Sequence, residues 1–95
     1  MAKYWLEYKG GALVVQDSFA SISKAREIAR YFVTSSKKEI RISQTIPGGS
    51  GIKTVGYVGL LKDYKTYYFE DSLGYKFNLK RNGTLGTEIP YTRRK

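Results

Sequence analysis

The stretch Pro47-Gly48-Gly49-Ser50-Gly51-Ile52-Lys53-Thr54 comes nearest to a chemical motif. In a phosphate-binding loop, glycines let backbone N–H groups approach phosphate and a lysine directly follows the last glycine. Here Ile52 separates Gly51 from Lys53, and the residues beyond alternate as a strand does, so a surface loop is expected. Glu7-Tyr8-Lys9 sets an acid two residues before a lysine, as metal-dependent nuclease sites do, but the upstream aspartate such a site needs is missing from residues 1–6. Glu70-Asp71 joins two carboxylates at the end of an expected strand, where a solvated turn accounts for them. Asn82-Gly83-Thr84 fits a glycosylation acceptor, and hairpin geometry explains the Asn-Gly pair better. With no histidine there is no near-neutral base to activate a serine or tyrosine, and with no cysteine there is no thiolate. A non-enzymatic protein is expected, without metal or cofactor.

What the chain offers instead is charge and flat rings. It carries 17 Lys and Arg against 8 Asp and Glu, a net charge of +9, together with nine Tyr, four Phe and one Trp in 95 residues. Excess positive charge draws an anionic partner, and tyrosine supplies contact area at low entropy cost. The charge is dispersed along the chain: residues 1–47 hold eight basic and four acidic side chains (+4), and residues 48–95 hold nine and four (+5).

Length allows one domain, expected over residues 1–92 with a basic tail at 93–95, and a core too modest to enclose a deep cleft. The longest apolar run is Ala12 to Val15, far short of the roughly 20 residues of a spanning helix, and the N-terminus lacks an apolar signal core. The absence of cysteine fits a cytoplasmic protein.

The elements follow from period. Tyr4, Leu6 and Tyr8 alternate with Lys3, Trp5 and Glu7, and Gly10-Gly11 suits a tight turn into a second strand over Ala12–Gln16. Ile22, Ala25, Ile28, Ala29, Phe32 and Val33 recur at helical spacing behind Ser21 as N-cap, which predicts one helix ending near Ser35. Its other face, Lys24, Arg26, Glu27 and Arg30, reads as the wet side. Ile40, Ile42 and Ile46 then point inward from a strand, followed by strand-like runs over Lys53–Leu61, Tyr64–Glu70 and Tyr75–Leu79 and a short C-terminal strand or tail near Leu85–Ile89. The expected class is α+β, in the order β-β-α-β-β-β-β, with one amphipathic helix on a mostly antiparallel sheet. A helix-turn-helix reader is excluded.

Seven of the 21 residues from Tyr57 to Phe77 are Tyr or Phe, and parity assigns them to faces. A two-residue turn at Lys62-Asp63 would pair Val58 with Tyr67 and Gly56 with Phe69. A three-residue turn at Ser72-Leu73-Gly74 would pair Phe69 with Phe77 and set Glu70 opposite Lys76. Val58, Leu60, Tyr67, Phe69, Tyr75, Phe77 and Leu79 then form the core face. Tyr57, Leu61, Tyr64, Thr66 and Tyr68 lie on the other face beside Glu70, Lys76, Asn78 and Lys80. Bases stack on rings while lysines follow phosphates, so this second face suits single-stranded nucleic acid. Tyr57, Tyr64 and Tyr68 are the expected stacking surface and Lys76, Lys80 and Arg81 the phosphate contacts, with Arg93 and Arg94 of the tail as further contacts. The partner is accordingly DNA or RNA, bound through its backbone with weak specificity. The alternative is an acidic protein surface or a nucleoprotein complex, met by an accessory inhibitor or adaptor of the kind viruses and mobile elements encode. A membrane is not expected as a partner.

Overall fold

Ser21 starts a helix as its spacing requires: its side chain accepts the Lys24 N–H at 3.1 Å, and the helix, α1, runs Ile22–Ser36. Lys37, at φ 60, ends it by returning its N–H to the Val33 carbonyl at 2.8 Å. The computed structural model describes residues 3–46 and 51–90, in which α1 follows strand β1 (Lys3–Tyr8) and precedes β2 (Ile40–Thr45), β3 (Ile52–Leu60), β4 (Tyr67–Asp71), β5 (Lys76–Leu79) and β6 (Leu85–Glu88). The strands form one antiparallel sheet in the order β1-β2-β3-β4-β5-β6, so sequence neighbours are sheet neighbours throughout.

The expected α+β class holds. Ala25, Ala29 and Val33 of the helix meet Leu6, Ile40, Ile42, Val58, Phe69 and Leu79 of the sheet, and all nine are buried. Alanines at two contact positions let the helix axis approach the strands closely.

Ala12–Gln16 is not a strand of this sheet. The segment after the Gly11 turn (φ 96) touches β1 only through isolated bridges, Glu7 to Leu13 and Tyr4 to Phe19. Val14 and Phe19 both pack against the core. They are an odd number of residues apart, and a regular strand would send them to opposite faces, so the chain bends.

The β3–β4 pairing is displaced by two residues from the expected register. Val58 lies opposite Phe69 and Gly56 opposite Asp71, because the connection is a four-residue loop, Lys62–Lys65, closed by Leu61 N–H to the Thr66 carbonyl at 2.9 Å. Asp63 enforces that length: its carboxylate accepts the Lys65 and Thr66 N–H groups at 2.8 and 2.9 Å and the Thr66 hydroxyl at 2.7 Å. An even displacement leaves the side chains that remain in β3 and β4 on their expected faces. Phe69 opposite Phe77, Glu70 opposite Lys76 and Gly74 at φ 94 are as anticipated.

Arg26 and Arg30 do not point into water. The helix packs mainly on β1 to β3, and these two long side chains cover the aromatic residues of β4 that it leaves bare. The Arg26 guanidinium lies 5.1 Å from the Phe69 ring centroid and donates Nε–H to the Gly83 carbonyl at 2.8 Å. Arg30 lies 3.9 Å from the Tyr67 centroid and donates to the Leu79 carbonyl at 3.3 Å. Burial lowers the Arg26 pKa from its ordinary value, and the nearby Tyr4 hydroxyl opposes that shift.

Candidate nucleic-acid interface

On the face of the sheet away from the helix, register aligns Glu7, Arg41, Tyr57, Glu70 and Lys76 as one row across five strands. Charge is compensated along it. Glu7 Oε1 accepts Arg41 Nη2 at 3.0 Å and Nε at 3.1 Å, and the Ser43 hydroxyl at 2.6 Å. Such a shared, charge-assisted arrangement holds the three side chains in place.

Tyr68, expected as a stacking residue, is only 7% exposed. Its ring crosses Gly59, where a Cβ would collide with it, and its hydroxyl donates to Glu39 Oε2. The Lys76 ammonium sits 4.5 Å from the Tyr68 centroid, so this expected phosphate contact and this expected stacking ring face each other. Neighbouring Phe69 does the same on the other face, above Gly56. β3 therefore uses two glycines to seat two consecutive aromatic residues of β4 on opposite sides. Tyr57 is partly buried within the row and borders a hollow of about 210 Å³ with Lys9, Glu39 and Arg41.

Tyr64, Lys80 and Arg81 lie at one end of the sheet, where β1, β3 and β5 finish. The connections that meet there carry Lys9, Lys37, Lys38, Lys62, Lys65, Lys80 and Arg81 against Asp17, Glu39 and Asp63. Tyr64 is 74% exposed in the Lys62–Lys65 loop rather than in a strand. Hydrogen bonds from Lys65, Thr66 and its hydroxyl hold the Asp63 carboxyl below the usual carboxylate range, so the loop is set at neutral pH. Arg81 occupies the β5–β6 turn, which Gly83 (φ 88) brings against the helix: a Cβ there would strike the Ser23 carbonyl. Arg81 borders a hollow of about 320 Å³ with Arg30, Tyr31 and Thr34 of the helix. Lys80 is exposed beside it. Arg93 and Arg94 lie outside the described residues.

Lys62, Lys65, Arg30 and the exposed Tyr31 enter this end of the molecule although the sequence does not mark them as binding residues. Lys62-Asp63-Tyr64-Lys65 did carry a signal, since an Asp followed within three residues by Thr66 suits an Asx-type loop. For Tyr31 no local signal exists, because any exposed helix position accepts a tyrosine. Among the described residues, no cluster of three acidic side chains could hold a metal ion, and no helix is long and apolar enough to cross a membrane. Compared with protein-family models, with curated proteins and with solved structures, the chain finds no match in any of the three.

Proposed function

We propose that the protein is a small non-enzymatic module that binds nucleic acid through its phosphate backbone, at the end of the sheet where β1, β3 and β5 finish. The sorting of charge carries this reading: seven basic residues against three acidic ones occupy the connections that meet at that end. The helix-free face contributes less than its composition suggests, because Glu7 holds Arg41 and Lys76 covers Tyr68. Phosphate contacts then fall to Lys62, Lys65, Lys80 and Arg81, with Arg30 and Tyr31 bordering Arg81 on the helix side. Such contacts position a polymer and read no base edges, so affinity is weakly specific and governed by salt.

The test is titration of a duplex oligonucleotide across a range of salt concentrations. About four to six phosphate contacts give a slope of log K against log salt near −4 to −5. A slope near −1, or no binding at about 50 mM salt, rules the reading out.

A further inference from the structure

Among the described residues, four of the five at positive φ sit where such backbone has a low or ordinary cost. Gly11, Gly74 and Gly83 serve three turns at φ 96, 94 and 88, and Lys37 caps the helix at φ 60. The fifth is Tyr64, at φ 58. Left-handed backbone is unfavourable for a bulky side chain, and glycine or asparagine would satisfy the same loop without that penalty. Nor does packing compensate, since Tyr64 is 74% exposed. The loop nevertheless holds it firmly: Tyr64 N–H donates to the Leu61 carbonyl at 2.9 Å, and the Asp63 carboxylate takes three hydrogen bonds from the residues just beyond. Lys62 and Lys65, two residues before and one after it in the same loop, are both exposed. A strained residue kept in place by its surroundings, with its side chain presented to solvent in a loop that also carries two exposed lysines, is how a fold displays a contact group.

We infer that Tyr64 is a stacking anchor for an unpaired base, with Lys62 and Lys65 on the adjoining phosphates, so that the ligand class is single-stranded nucleic acid. The inference rests on the backbone-binding reading above and narrows it. A duplex keeps its base faces stacked inside and offers only phosphates, whereas a single strand offers both phosphate and ring. Tyr57 and Tyr68 do not share the role, because both are built into the sheet.

The experiment compares a thymidine oligomer with a duplex of equal length, using the wild type, Tyr64→Gly and Tyr64→Phe. Tyr64→Gly should lower affinity for the single strand by about 5- to 100-fold, the range that loss of one stacked base gives. Duplex affinity and both salt slopes should stay unchanged, because no cation is removed. The melting temperature of Tyr64→Gly should be no lower than that of the wild type, since the left-handed strain is relieved, and Tyr64→Phe should bind as the wild type does. Unchanged single-strand affinity in Tyr64→Gly, or equal losses for both polymers, overturns the anchor and leaves backbone binding standing. Failure of the wild type to bind either polymer at about 50 mM salt overturns both.

Discussion

The two ends of the sheet differ more than its two faces do. Where β1, β3 and β5 finish, the connections hold seven basic residues and a tyrosine at positive φ; where β2 and β4 finish, connections 46–51 and 72–75 contain no charged residue. That second end exposes aliphatic side chains instead, Ile52 at 62% and Leu73 at 76%. In an antiparallel meander successive hairpin connections fall at alternate ends, so an alternation of basic and neutral loops along the chain becomes a separation in space. The charge of the connections, dispersed along the sequence, is gathered at one end in space.

Charge reversal is the strongest way to break this comparison. Replacing Lys62, Lys65, Lys80 and Arg81 together by Glu should lower nucleic-acid affinity by about 1,000-fold or more at low salt and flatten the salt slope by about four contacts. Lys3→Glu with Lys53→Glu, two changes away from the basic connections, should cost less than about tenfold. Equal losses per charge in fluorescence titration would mean that net charge alone attracts the ligand and that its sorting is incidental.

Docking of the basic turn on the helix gives a second test, read by thermal unfolding. Gly83→Ala should destabilise by about 3 kcal/mol, adding left-handed strain to a clash with the Ser23 carbonyl. Gly11→Ala carries a similar φ with open space around it and should cost about 1 kcal/mol. If the two variants melt together, the β5–β6 turn is not held by the helix, and the hollow beside Arg81 loses its wall.

The smallest effect concerns the loop that presents Tyr64. The Asp63 carboxyl lies below its ordinary value in the folded protein, so its hydrogen bonds are fully in place above that value, about 3.9, and are lost as pH falls through the lower folded one. Hydrogen exchange at the Lys65 and Thr66 amides should accelerate, relative to the intrinsic rate, over that acidic window. Asp63→Ala should show the faster exchange already at neutral pH, with no further step on acidification. An acid step that survives in Asp63→Ala would assign it to another carboxylate.

Much of this architecture is legible in the residues alone. The helix follows from Ser21 and a 3.6-residue period, and the core face from alternation, because both depend on sterics acting over a few residues. Gly74 and Gly83 mark turns for the same local reason. The β3–β4 register is not legible, since one Asp63 carboxylate sets the loop length; yet a displacement of two residues preserves parity, so alternation alone puts Tyr67 and Phe69 on the core face.

Tertiary structure alone decided what those faces present. Tyr68 has the parity of an exposed ring and is buried because pairing sets Gly59, which has no side chain, opposite it. Arg26 and Arg30 have the spacing of a wet helix face and turn inward because the helix is too narrow to cover the aromatic residues of β4. The basic end exists because strand direction alternates, so residues as far apart in sequence as Lys9 and Arg81 serve the same end of the sheet. Periodicity acts between near neighbours and can be read from the chain; which glycine lies under which ring, and which loops share an end, depends on pairings between distant residues that form only in the fold.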